Sequence, residues 1–239
     1  MSELLFYEKL VALNRERHKK LRLKALDDGF AFSAGVNSVP LAGIEFFEAS
    51  RDMTVLFKKG DDGRFFPVVM MSLSNSGHEL VDVQGNWQGS YVPAFIRRYP
   101  FALAADGTVC VDEKSQALSE SEGELLFTES GQSESLEKVL AFLRQFDTEM
   151  RRTRDFCDAL AQKGLLAPFE VEVRPRDGGR PVRLQGLHAV NTQKFSELRG
   201  DTLELWFTKS WVAWIYAHLH SIGALGKLSS DKAPPSRTH

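Results

Sequence analysis

The chain has 239 residues, of which 43% are hydrophobic, 26% charged and 10% aromatic, with a formal net charge of −2. That near-neutral balance argues against a general nucleic-acid binder, which would be clearly basic, and against an acidic disordered protein. At roughly 100–200 residues per domain, the length suits one large domain or two small ones.

Residues 2–26 carry Leu5, Leu10, Leu13 and Leu21 among charges and read at first as a helix, although Leu21 to Lys24 alternates like a strand. A helix is predicted from Leu41 to Ser50 with Phe46 and Phe47 facing inward, followed by a buried strand over Thr54 to Phe57. Gly60-Asp61-Asp62-Gly63 is a hairpin turn into a second strand, Phe65 to Leu73. A turn over 74–78 and a short strand over Leu80 to Val83 complete a predicted antiparallel meander, because loops this short hold no crossover helix.

Ser133 to Lys163 keeps apolar residues at three-four spacing: Leu136, Val139, Leu140, Leu143, Phe146, Met150, Cys157 and Leu160. This is an amphipathic helix, capped by Ser133 or Ser135 and stopped by Gly164. Phe169 to Val173 and Val182 to Val190 alternate around a turn at Arg176 to Gly179, which makes a hairpin. A short helix starts at Asn191 or Thr192. A last helix begins at Asp201 and carries an inner stripe of Leu203, Phe207, Trp211, Trp214, Ile215, His218 and Ile222. Residues 229–239 read as a frayed, disordered tail.

These elements predict an α+β fold: a mostly antiparallel sheet packed against the long amphipathic helix and the aromatic-rich C-terminal helix. Residues 1–228 are taken as one domain, with a soft boundary over 112–131 where polar Ser/Glu-rich sequence interrupts the pattern. Two distant cysteines, Cys110 and Cys157, form no disulfide framework and suit a reducing cytoplasm. The most apolar stretch, Leu203 to Ile222, includes Glu204, Lys209, His218 and His220, so no integral membrane segment is predicted.

The segment richest in information is 85–101, GNWQGSYVPAFIRRYPF. Trp87, Tyr91, Phe95, Tyr99 and Phe101 surround the adjacent pair Arg97-Arg98, bracketed by Pro93 and Pro100. Pro93 suits the start of one helical turn. Neighbours on such a turn point about 100° apart, so Arg97 and Arg98 are expected in different surroundings, with one able to be buried in an ion pair. One reading is an anion or peptide-carboxylate site, with a guanidinium fork beside aromatic faces. The other is a structural corner in which the aromatics plug the core and one arginine satisfies backbone carbonyls or a buried acid.

This segment closely resembles the signature of the bacterial SapC family. The resemblance extends to Asn14-Arg15-Glu16-Arg17-His18, Phe30-Ala31-Phe32 through Pro40, Glu45-Phe46, Leu126-Phe127, and Ile215-Tyr216-Ala217-His218-Leu219 with Ser221. It spans about residues 5–228. The family takes its name from a gene linked to a surface-layer protein locus. Its members look like accessory proteins, often encoded beside flavin-dependent halogenase-like proteins, cupin-type proteins and outer-membrane receptors. The resemblance therefore implies an accessory or binding role and carries no catalytic residues. Some members are labelled peptide-transport components, from which this chain departs for want of a predicted membrane span.

His218 and His220 point about 200° apart on a helix and cannot share a metal, and His218 on the apolar stripe reads as a core residue. No phosphate loop, dinucleotide fingerprint or nucleophile elbow occurs, so no metal, cofactor or catalytic motif is predicted. The expectation is a cytoplasmic accessory protein that binds another protein or peptide and no nucleic acid, through Trp87, Tyr91, Arg97, Arg98, Tyr99 and His218. The alternative is an enzyme acting on a peptide or small anionic substrate, with Tyr91, Arg97, Arg98 and His218 lining one cleft.

Overall fold

A computed structural model describes residues 5–73, 78, 80–173 and 180–227. In chain order its elements are β1 (Leu10–Ala12), β2 (Arg22–Leu23), β3 (Ser38–Pro40), α1 (Phe46–Ala49), β4 (Thr54–Lys59), β5 (Phe65–Met70), α2 (Ala94–Arg97), β6 (Phe101–Leu103), β7 (Val109–Asp112), β8 (Leu118–Ser119), β9 (Glu124–Leu125), β10 (Phe127–Thr128), β11 (Gly131–Gln132), α3 (Glu134–Gln162), β12 (Leu166–Val173), β13 (Val182–Val190), α4 (Thr192–Ser196), α5 (Gly200–Thr208) and α6 (Trp211–Ser221). Short 3-10 turns occur at Ala31–Ser33, Gly43–Glu45 and Ile222–Lys227. The fold is α+β, with antiparallel sheets, the long helix α3 and an aromatic-rich C-terminal helix.

The main sheet is antiparallel in the order β12-β13-β4-β5-β3. β4 and β5 pair in register, Val55 with Val69 and Leu56 with Val68, across the Gly60–Gly63 turn. Side chains alternate between the faces of a strand. Val55, Phe57 and Val69 therefore join one core with α3 and α6, while Leu56, Val68 and Met70 join another with Val173, Leu184 and Leu187. Sheets with both faces covered suit the nearly continuous apolar runs that these strands carry.

α3 starts where the Ser133 Oγ accepts from the Leu136 N–H, and the chain leaves it through Gly164 at φ +60°. Its first half packs Leu136, Leu140 and Leu143 against Phe101, Val111, Leu126 and Phe127. Its second half sends Phe156, Cys157 and Leu160 into the main core. The polar stretch 112–131 thus builds β8 to β11 and delivers Leu126 and Phe127 to the packing under α3.

Four local expectations are corrected. Residues 5–20 form no helix: β1 pairs with β7, and the Asn14 side chain accepts from the Glu16 and Arg17 N–H groups in a turn that competes with helix, while the alternation over Leu21 to Lys24 does give a strand, β2, between β8 and β9. The predicted strand over Leu80 to Val83 reduces to one bridge, Val81 with Trp87, and the third strand beside β4–β5 is β3. Phe46 is buried but Phe47 is 53% exposed, because α1 is a single turn and successive residues cannot share a face. The last helix breaks at Ser210, whose φ is 64°. The break re-phases the stripe, so Trp206 is buried and Phe207 is 75% exposed. The turn predicted at Arg176 to Gly179 and the tail over 229–239 lie outside the described residues, as does most of the turn over 74–78.

Candidate functional site

Pro93 precedes α2 with φ −55° and ψ 140°, which turns the chain into one helical turn. The first N–H of that turn, on Ala94, has no partner within the helix. It donates to Glu45 Oε1 at 2.7 Å, and the Tyr91 hydroxyl donates to the same oxygen at 2.8 Å. Glu45 Oε2 accepts from the Ala42 N–H at 3.0 Å. Glu45 is only 5% exposed, and these donors satisfy its carboxylate.

The Tyr91 hydroxyl also accepts from Arg97 Nη2 at 3.2 Å, while Arg97 Nε donates to the Val92 carbonyl at 3.0 Å. Burial, then the Glu45 charge, pushes the Tyr91 pKa up to about 12, against a smaller opposing effect of Arg97. Arg97 is exposed, its guanidinium carbon 5.7 Å from the Tyr91 ring centre and 5.2 Å from that of Phe142 on α3.

Arg98 is half-buried. Its guanidinium carbon lies 3.9 Å from the Phe95 ring centre, 5.3 Å from Phe146 and 5.7 Å from Tyr7. Its Nε donates to the Tyr7 hydroxyl at 3.1 Å, which in turn donates to the Phe101 carbonyl at 2.8 Å. Burial lowers the Arg98 pKa and pushes that of Tyr7 up to about 12.

Tyr99 stacks on Phe32 with ring centres 4.1 Å apart and donates to Asp112 Oδ2 at 3.4 Å. Burial raises its pKa. The Tyr99–Pro100 peptide is cis. Trp87 meets Phe30 and His78 edge-on, at 5.8 and 5.6 Å, and its buried Nε1 has no hydrogen-bond partner among the described residues.

Between the 85–101 segment, the chain after β2 and the start of α3 runs a groove of about 660 Å³, with Phe30, Phe32, Ile96, Tyr99, Arg97 and Glu124 among its walls. Tyr91 reaches this groove indirectly, through Arg97. Tyr91, Arg97, Arg98 and Tyr99 are thus gathered around α2 and its junction with α3, with Trp87 beside Phe30 at one end.

His218 is not part of this gathering. It is fully buried; its Nε2 accepts from the Val190 N–H at 3.1 Å and its Nδ1 donates to the Val55 carbonyl at 2.8 Å. Burial pushes its pKa down to about 4. Both ring nitrogens are committed to the sheet.

The SapC family model matches residues 13–228. The chain belongs to the SapC family. The SapC match includes Glu45, the whole 85–101 segment, α3 and His218, and leaves Tyr7 outside it. No curated protein and no solved structure matches the chain. Among the described residues of this SapC chain, no group of three His, Cys, Asp or Glu side chains is placed to hold a metal ion, and no helix is long and apolar enough to cross a membrane.

Sequence reasoning did not single out Tyr7 or Phe142, and it named Glu45 only within the family resemblance and Phe146 only on the apolar stripe of the long helix. Glu45 left one signal: an acid inside the apolar run Ile44 to Phe47, where a carboxylate is costly unless it is paired. Phe146 read only as a helix-face residue and Phe142 was not read at all, because their meeting with α2 is a tertiary event.

Proposed function

We propose that this SapC-family chain is a cytoplasmic accessory protein that binds a peptide or a segment of another protein, in service of a surface-layer, peptide-modifying or envelope-associated system. The observation that carries this reading is the groove beside α2, with aromatic walls and the exposed Arg97 guanidinium at its side. Arg97 donates to two neutral oxygens and meets no carboxylate among the described residues. The groove is mostly apolar and also includes Lys24, which pairs with Asp27 and Glu122, and Glu124; the unpaired Arg97 guanidinium at its side suits a chain that presents an apolar side chain next to a negative group. The assignment to a surface-layer or envelope system rests on the family. Free thiols at Cys110 and Cys157 support a reducing compartment.

The test is a native pull-down of the full chain, with mass spectrometry of the co-purified proteins and peptides, run in parallel on Arg97→Ala. The reading expects a specific partner that the variant loses while keeping the melting temperature of the parent. A partner retained in full by the variant places binding elsewhere and overturns the reading.

A further inference from the structure

Arg97 and Arg98 are neighbours, yet both guanidiniums come to rest against the same helix, on Phe142 and Phe146 of α3. Those rings are one helical turn apart, about 6 Å along the axis. Two side chains that diverge at their roots therefore both reach α3, Arg97 on the exposed side over Phe142 and Arg98 half-buried over Phe146.

Among the described residues neither cation has a counter-ion. Elsewhere Arg17 pairs with Glu113, Arg151 with Asp147, Arg152 with Glu149 and Arg183 with Glu170. Among the described residues no carboxylate approaches Arg97 or Arg98. Arg97 is compensated only through the Tyr91 hydroxyl, which stands between it and Glu45. Arg98 gives its Nε to Tyr7, and its terminal nitrogens have no partner among the described residues. Holding a half-buried guanidinium without an anion costs free energy, which the Phe95, Phe146 and Tyr7 faces offset in part by cation–π attraction. A carboxylate arriving from outside would meet donors that are already oriented and partly desolvated, the condition in which a charge-assisted hydrogen bond is strongest.

We propose that the Arg97–Arg98 pair reads two carboxylates on alternate residues of an extended acidic peptide, whose neighbouring apolar side chain enters the groove against Phe30, Phe32 and Tyr99. Alternate residues of an extended strand share a face and lie about 6.6 Å apart, close to the rise of about 6 Å between Phe142 and Phe146 along α3. The adjoining aromatic walls favour a peptide over a free inorganic anion, which would leave them unused. This proposal rests on the reading of the chain as a peptide binder and sharpens it to a charge pattern.

The experiment is fluorescence anisotropy of the full chain with two labelled, C-terminally amidated heptapeptides, Leu-Glu-Phe-Glu-Leu-Glu-Phe and its counterpart with Gln at every Glu. The acidic peptide is expected to bind at least tenfold more tightly, with an affinity that falls as salt rises. Arg97→Gln should remove most of that preference. Arg98→Gln should do the same, with Arg98→Lys as the companion variant that keeps the charge should the first fail to fold. Equal affinity for the two peptides, binding of neither, an unaltered preference in Arg97→Gln, or equal competition by inorganic phosphate overturns the carboxylate pair. A partner captured by the full chain in the pull-down, together with equal affinity for both heptapeptides, sinks this inference alone and leaves the binding role standing.

Discussion

The Tyr91 hydroxyl donates to Glu45 Oε1 at 2.8 Å, joining residues 46 positions apart in the chain. Through this bond and the one from the Ala94 N–H, a single buried carboxylate holds the start of α2 against the turn that precedes α1. Glu45→Ala leaves three donors without their acceptor, so we expect a loss of about 3 kcal/mol or more in urea unfolding. Tyr91→Phe removes one of the three and frees Arg97 Nη2, with an expected loss of about 1–2 kcal/mol. Equal stability of Glu45→Ala and the parent would show that the network does not hold the segment.

The two arginines should separate in their effects on stability. Arg97 is exposed and donates to neutral oxygens, so Arg97→Ala should cost under about 1 kcal/mol. Arg98 fills the space between Phe95, Phe146 and Tyr7, and Arg98→Ala loses that packing as well as the bond to Tyr7, at about 1–3 kcal/mol. Thermal melts of the two variants side by side decide it; a larger loss for Arg97→Ala contradicts the geometry.

Stability should fall in mild acid. His218 is neutral in the fold, with a pKa near 4 against about 6.5 in the unfolded chain. The unfolded chain thus binds the extra proton first. The contribution of His218 is complete above about pH 6.5 and is lost as pH falls towards 4, an amount of about 3 kcal/mol. His78 and His188, also lowered by burial, slope in the same direction. Unfolding free energies at pH 7 and pH 4.5 measure the total, and His218→Gln should flatten the profile. A profile as steep as that of the parent would assign the slope to other groups.

Gly85 has a φ of +83°, and a Cβ there would lie 1.6 Å from the Asp28 carbonyl oxygen. Its own carbonyl accepts from the Phe30 N–H at 2.8 Å, so the contact that sets Phe30 in the groove wall depends on this close approach. Gly85→Ala should destabilise the chain by more than about 1 kcal/mol and weaken peptide binding even where it folds. Circular dichroism melts and the anisotropy assay together check both halves.

The sequence made the periodic elements legible. α3 and the β4–β5 hairpin follow from spacing and turn residues, and the antiparallel pair β12–β13 from alternation, since each is determined within its own segment. The local density of aromatics around Arg97-Arg98 pointed to the region of the candidate site. What spacing does not encode is which distant residue completes that region. Glu45, Tyr7, Phe142 and Phe146 arrive from three other parts of the chain, and their roles are fixed by packing. The same limit explains the N-terminal segment, where pairing with β7, β8 and β9 prevails over a helical pattern of leucines. It also explains the C-terminal helix, where one left-handed residue at Ser210 changes which aromatics face inward.

β13 and β4 pair through Leu187 with Lys58 and His188 with Phe57, and continuing that register brings Val190 opposite Val55. There the imidazole of His218 spans the opening between the two backbones. Ser221, one turn on, accepts from the Val55 N–H at 2.9 Å. A side chain from α6 thus serves as a rung of the ladder. The β12–β13 hairpin is attached to the rest of the main sheet along a short seam, and α6 is the bolt through it. A displacement of α6 would break the His218 bonds to Val55 and Val190 at once, so the seam between β13 and β4 is tied to the position of the helix.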